Sequence, residues 1–207
     1  IHASLSRDGV RVLLSAKVER ISGGEAHITF PAGAERVGFD AVLVAAGRTP
    51  NIEALNLEVA GVRTGPQGVA VDDHLRTHNA RVFACGDVCM AQRFTHAADF
   101  AARMVLQNAL FFGRKRLSAL HIPWCLYTQP ELAHVGLTAG MAATKKIPID
   151  TFTVPLDGVD RAILDEATGG FARVHVRKGT DAIVGATFVG PHAGESLQAI
   201  VLAMNNN

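Results

Sequence analysis

Apolar and polar positions recur along this chain with two periods, and the period changes where glycine and proline gather. Lys17 to Ile21 and Ala26 to Phe30 alternate as half-buried strands do, and Gly23-Gly24 between them is a turn signal. A short apolar run, Val10 to Leu14, precedes them and is expected to be a further strand. Residues 1 to 50 therefore predict a small antiparallel meander. At Asp40-Ala41-Val42-Leu43-Val44-Ala45-Ala46-Gly47 the alternation stops and the chain becomes continuously apolar. Such a run predicts a strand covered on both faces, as in a parallel sheet flanked by helices. Pro50 prevents it from continuing as a regular central strand.

Residues 52 to 73 are turn-rich, with a brief Val69-Ala70-Val71 strand. Val82-Phe83-Ala84 then predicts a buried strand that ends in Cys85, Gly86 and Asp87. Thr95 can cap a helix whose apolar positions are Phe100, Ala101, Met104, Val105, Leu110 and Phe111, and Gly113 is a fitting stop. Beyond a linker at 114 to 121 the two-residue period returns. Ile122 to Thr128 is extended, Pro130 to Gly136 turns into a short strand, and Ile149 to Leu156, Phe171 to Arg177 and Ala182 to Val189 are strands. In the Phe171 strand, Ala172, Val174 and Val176 are expected inside, and Arg173, His175 and Arg177 in water. A last helix follows Gly190-Pro191 with Ala193, Leu197, Ile200, Val201 and Met204 on one face. The fold class expected is α/β followed by α+β, the second part built on an antiparallel sheet.

Composition narrows the function. The 207 residues are 48% hydrophobic and carry 20 Lys and Arg against 19 Asp and Glu, a net charge of +1. The longest basic run, Arg114-Lys115-Arg116, directly follows a predicted helix, where cations suit the helix dipole. No nucleic-acid partner is expected, since that requires a clustered basic face. No apolar run approaches the roughly 20 residues of a membrane span. Three cysteines of irregular spacing, Cys85, Cys89 and Cys125, fit a reducing compartment, so a cytoplasmic location is expected. The chain opens on Ile1-His2-Ala3 and stops at Asn205-Asn206-Asn207 directly after an apolar helical pattern, as expected of a piece of a longer protein.

The chemistry concentrates where strands end. Glycine permits close approach of the backbone to a bound group, ligands of open α/β sheets collect at the carboxyl ends of strands, and a carboxylate there can hydrogen-bond a sugar hydroxyl. Gly86-Asp87 meets that description, although an Asp-stabilised turn would use the same residues.

Three motifs stand in one order: Gly47-Arg48-Thr49-Pro50-Asn51, Thr77 through Gly86-Asp87, and Ile122-Pro123 with Tyr127-Thr128-Gln129-Pro130-Glu131-Leu132-Ala133-His134-Val135-Gly136. Together they resemble the pyridine nucleotide-disulfide oxidoreductases, the flavoenzyme family of glutathione reductase, dihydrolipoamide dehydrogenase and mercuric reductase, with the mercuric reductase and dihydrolipoamide dehydrogenase branch most similar. The resemblance implies a partial NAD(P)/FAD two-dinucleotide-binding fold followed by an antiparallel dimerisation domain. Residues 1 to 73 would be the later part of the NAD(P)-binding domain, 74 to 121 the returning segment of the FAD-binding domain, and 122 to 207 the truncated dimerisation domain. It implies FAD and NAD(P)H as cofactors, a homodimer, and a small-molecule or dithiol electron acceptor.

By the same resemblance, Asp87 would bond the flavin ribityl chain, with Gly86 permitting close approach, and the amides of His96 and Ala97 would face the flavin pyrimidine. A helix amino end carries partial positive charge, which suits an anionic reduced flavin. The family usually has proline where this chain has His96. Gly47 would lie beside the nicotinamide nucleotide and Cys125 near its ring. The family's glycine-rich nucleotide loops and redox cysteine pair would precede this chain, and its carboxy-terminal His-Pro would follow it, so no catalytic residue is expected here. A metal site is not expected either: Cys85 and Cys89 lack a second ligand pair, and Cys85 suits the core. Arg161, between Asp160 and Ala162, is a loop residue of unassigned role. Against an FAD-dependent NAD(P)H oxidoreductase stands one other reading, a dimerisation or interaction module that binds no cofactor by itself.

Overall fold

The computed structural model describes residues 1–206; Asn207 lies outside the described residues. Helix α1 (His2–Arg7) is followed by the meander β1 (Lys17–Ser22), β2 (Glu25–Phe30) and β3 (Gly33–Gly38), an antiparallel sheet in the order β1-β2-β3. Ser22 faces Glu25 across a two-residue turn whose Gly23 and Gly24 both have positive φ, 60° and 76°, the left-handed pair that matches the twist of a hairpin.

Two predicted strands do not form. Val10 to Leu14 leaves α1 without a strand partner, and Val10 and Leu14 are exposed. The Asp40 to Gly47 run is likewise unpaired among the described residues, with Leu43 93% and Val44 77% exposed. Its composition suits a strand covered on both faces, but a strand needs a hydrogen-bonded neighbour, and none of the described segments runs beside it. All pairings among the described residues are antiparallel.

A small hairpin, β4 (Thr64–Gly65) and β5 (Gly68–Val69), leads into a second one, in which Thr77 N–H donates to Val82 O and Ala84 N–H to Leu75 O. The expected buried strand at Val82 to Ala84 is thereby reduced to a single bridge, Arg76 to Phe83. Helix α2 (Thr95–Leu110) begins one residue earlier than expected. Phe94 is its cap, and the Thr95 side chain makes no capping bond. Its inner positions Ala97, Ala101 and Met104 close on Leu75 and Met90, with Cys85, Cys89, Leu117 and Ile122 at the margin. Gly113 does close the helix: its N–H donates to Gln107 O, and a Cβ there would stand 2.8 Å from that oxygen.

The carboxy-terminal half is a five-stranded antiparallel sheet. In chain order it contains β6 (Trp124–Leu126), β7 (Glu131–Gly136), helix α3 (Ala139–Thr144), β8 (Ile149–Pro155), helix α4 (Asp160–Leu164), β9 (Phe171–Arg177), β10 (Ile183–Gly190) and helix α5 (Ala193–Asn205). The strands lie in the order β6-β7-β10-β9-β8. Helix α5 buries Ala193, Leu197 and Met204 on Ala133, Val135 and Ala186, with Ile200 and Val201 beside them, so the face expected from its period is the face used.

The other face of the sheet departs from expectation. His175 is 2% exposed rather than wet, its Nδ1 2.9 Å from Thr151 Oγ1 on the neighbouring strand β8. His134 on β7 is also buried, held by Thr187 Oγ1 at 2.8 Å on Nδ1 and by Gly136 O at 3.0 Å on Nε2. Burial, helped by the charge of Arg173 and by His134, holds the His175 imidazole below its ordinary pKa. The folded chain thus prefers the neutral ring, and the unfolded chain takes the proton first as pH falls. Stability conferred by His175 is complete above the ordinary histidine range, about pH 6.5, and is lost on acidification below it. The urea midpoint should therefore fall between about pH 7.5 and pH 5 in the wild type, and fall less in His175→Gln. Equal pH slopes in the two proteins would contradict this assignment.

Candidate functional site

At Cys85 the backbone is extended, φ −145°, and Gly86 turns it with φ +76° into a 3₁₀ turn over Gly86–Val88. The Gly86 carbonyl accepts from the N–H groups of Cys89 and Met90. Gly86 rests directly on α2, where a Cβ would stand 3.0 Å from Ala98 Cβ. Both the positive φ and this contact call for glycine. The turn presents Asp87 outward, its side chain 41% exposed. Arg48 Nη1 donates to Asp87 Oδ2 at 2.7 Å, and Oδ1 has no partner among the described residues.

Beside this turn lies the amino end of α2. Ala98 N–H is the first amide of the helix with a backbone acceptor, Phe94 O, and no side chain caps the end. The Arg93 carbonyl, just before that end, accepts from Arg48 Nη1 at 3.3 Å. The amides of Thr95, His96 and Ala97 are left without acceptors among the described residues, and Ala97 is fully buried. An uncapped helix amino end of this kind favours an anion. The His96 ring is engaged elsewhere, stacked on Phe94 with centroids 5.5 Å apart and its Nε2 2.8 Å from Pro123 O. His96 thus ties the start of α2 to the strand entering β6.

Gly47, φ +107°, has nothing near its absent side chain. Its neighbours are anchored firmly. Arg48 reaches Asp87, Arg93 Nη1 donates to Arg48 O, and Pro50 packs on Gly68, where a Cβ would stand 2.9 Å from Pro50 Cβ and 2.0 Å from Val88 O. Segments 47–50, 68–69 and 86–93 are therefore one cluster.

Cys125 and His96 share an open cleft of about 460 Å³ between α2 and the β6-β7-α5 layer, lined also by Phe100, Trp124, Tyr127 and Glu131. Tyr127 stands 86% exposed at its rim. Cys125 Sγ lies 3.9 Å from Glu131 Oε2, the oxygen that accepts from Gly194 N–H at the start of α5. Partial burial, then the Glu131 charge, raise the Cys125 thiol pKa, and burial followed by Cys85 pushes Cys89 up to about 11. These cysteines are protonated and poorly nucleophilic near neutral pH.

The structure thus gathers Gly86, Asp87, His96 and Ala97 around the start of α2, places Cys125 across a cleft from His96, and joins Gly47 to the group through Arg48. A larger cavity of about 600 Å³, between α1 and the Gln129 and Asp165 loops, holds none of these residues. Arg161 lies on exposed α4, paired with Asp165 at 2.8 Å, and lines neither cavity. No group of three or more His, Cys, Asp and Glu side chains positioned for a metal ion occurs among the described residues, and no helix among them is long and apolar enough to cross a membrane. Arg48, Arg93 and Gly68 escaped the sequence reading as site residues. Arg48 had a signal, its place inside Gly47-Arg48-Thr49-Pro50-Asn51; Gly68 had none, because the atoms it must avoid belong to residues 50 and 88.

Comparison with known proteins completes the description. A family model described as pyridine nucleotide-disulphide oxidoreductase matches residues 1–140, and one described as the dimerisation domain of the same proteins matches residues 122–207. Mercuric reductase of Staphylococcus aureus is 34% identical over 99% of this chain, and that of Lysinibacillus sphaericus 31% identical over 99%. The chain spans only 38% of the length of either. Among solved structures, LpdA from Mycobacterium tuberculosis superposes with a TM-score of 0.86 at 26% identity, covering 99% of this chain and 45% of LpdA. The HOCl-induced flavoprotein disulfide reductase RclA from Escherichia coli superposes with a TM-score of 0.81 at 27% identity, covering 99% and 48%.

Proposed function

Because the chain belongs to the pyridine nucleotide-disulphide oxidoreductase family, we propose that it supplies the later part of an FAD-dependent oxidoreductase that passes electrons from NAD(P)H to an acceptor. The observation that carries this is the Gly86-Asp87 turn seated on an uncapped helix amino end. It offers an unpartnered acceptor oxygen on Asp87, set beside the helix by the close seat of Gly86 on Ala98, and three amides without acceptors. These fit a flavin: Asp87 would hold a hydroxyl of its sugar-alcohol chain, and the amides of His96 and Ala97 would meet its electron-rich pyrimidine edge. When bound, FAD supplies the two-electron chemistry, accepting hydride from the nicotinamide and delivering electrons onward. Gly47 would flank the nicotinamide nucleotide, and Cys125, at the cleft shared with His96, would lie near its ring.

Residues 1 to 73 would serve the NAD(P) side, 74 to 121 the FAD side, and 122 to 207 the contact with a second copy, in a homodimer of the cytoplasm. The acceptor would be a disulfide, a metal ion or a small molecule. The test is to purify the natural full-length protein that carries this chain and assay it for bound flavin. About one FAD per chain, bleached by NADH or NADPH, is expected, and a flavin-free protein that FAD does not fill would overturn the reading. The second reading, a dimerisation or interaction module without a cofactor, rests on the exposed Val42-Leu43-Val44 run beside the site. Sizing and flavin analysis of the full-length protein separate the two, since a dimer without FAD is what the module requires.

A further inference from the structure

We infer that Arg48 is a positioning residue for the flavin, acting through Asp87; this rests on the flavin reading of the Gly86-Asp87 turn. A carboxylate has two oxygens, and at Asp87 they differ. Oδ2 is held by Arg48 Nη1 at 2.7 Å, while Oδ1 has no partner among the described residues. One oxygen is thus fixed by the protein and the other remains an acceptor. A lone surface carboxylate rotates freely about its terminal bond, and a charge-assisted bond to one oxygen sets the direction in which the other accepts.

The guanidinium is itself anchored. Its Nη1 also donates to Arg93 O, and Arg93 donates back to Arg48 O. This reciprocal pair joins the loop after Gly47 to the segment entering α2. The arginine is thereby held where it can orient the Asp87 carboxylate. Pro50 and Val88 O, both seated on Gly68, hold the two segments at that spacing.

The bond does little for the fold as such. The Arg48 and Asp87 side chains are 65% and 41% exposed, and exposed ion pairs contribute little to stability. A role in orientation and a role in folding therefore give different results. In the natural full-length protein, stripped of flavin and titrated with FAD, Arg48→Gln should weaken FAD binding about tenfold, the usual scale for one lost charge-assisted hydrogen bond. Arg48→Lys, which keeps the charge but lacks the planar fork, should recover part of that loss. Asp87→Asn should weaken binding by about as much as Arg48→Gln, and the double variant should bind no worse than Asp87→Asn alone, because the arginine then has no carboxylate to orient. The melting temperature of the flavin-free protein should scarcely differ among the four. FAD binding by Arg48→Gln at wild-type strength would overturn the inference, as would losses that multiply in the double variant. A wild-type protein that binds no FAD would instead overturn the flavin reading itself.

Discussion

Replacing Gly136 with alanine is expected to lower the unfolding free energy by about 2 to 5 kcal/mol, from roughly 1–2 kcal/mol of left-handed backbone strain and about 1–3 kcal/mol of overpacking. Gly136 is the last residue of β7, and its φ of +76° turns the strand out of the sheet. An added Cβ would stand 2.4 Å from Val184 O and 2.9 Å from Gly185 Cα, both backbone atoms of the central strand β10. Neither can yield without breaking register, because Val184 O accepts from Leu137 N–H at 2.8 Å. Gly185, the residue paired with Gly136, is equally confined, with its own absent Cβ 2.0 Å from Leu137 O. Two glycines thus let β7 leave the sheet across the backbone of β10. A loss of this size is a large share of the about 5–15 kcal/mol that holds a typical domain together. Urea titration of the chain should show the midpoint falling with the slope unchanged. Gly140→Ala, inside α3 with its nearest atom 4.0 Å away, is the control and should gain about 0.5–1 kcal/mol. An unshifted midpoint for Gly136→Ala would show that the β7 exit is looser than the structure has it.

The same contrast between local and distant causes separates what the amino-acid sequence reveals from what it conceals. The inner face of α5 was legible because Leu197, Ile200, Val201 and Met204 follow the period of a helix, and a period is a local property. His175 was not. Its alternation with Val174 and Val176 places it correctly on the second face of β9, but whether that face is wet depends on Thr151 and Thr187, which reach it or His134 from strands β8 and β10. The apolar run at 41 to 46 shows the opposite limit. Its side chains specify the environment the segment suits, whereas pairing requires a neighbouring strand, and none of the described segments supplies one. At the candidate site, Gly86-Asp87 read locally fits an Asp-stabilised turn as well as a ligand, and it stands out only through its order between the Gly47 and Tyr127 motifs. The link from Arg48 to Asp87 spans 39 positions and depends on how three loops are stacked over Gly68. That stacking is a tertiary fact with no period to betray it.

Gly86→Ala should weaken FAD binding by at least about thirtyfold, the equivalent of ~2 kcal/mol, in the natural full-length protein. The backbone at Gly86 is left-handed, φ +76°, which costs a residue with a Cβ roughly 1–2 kcal/mol. The Cβ would also stand 3.0 Å from Ala98 Cβ, closer than two methyl groups settle. The chain can relieve both only by lifting the 3₁₀ turn from α2, and Asp87 is the next residue, so the carboxylate moves with it. The Arg48 bond, a single exposed ion pair, is too weak to hold it back against that strain. Crowding and strain can be told apart with a second change. Ala98→Gly removes the opposing methyl at about 1 kcal/mol of helix stability and leaves φ untouched. The double variant Gly86→Ala with Ala98→Gly should therefore recover part of the lost affinity and not all of it. Full recovery would assign the whole effect to the contact with α2, and no recovery would assign it to the backbone. Wild-type affinity in Gly86→Ala itself would mean that the turn is not where flavin is held.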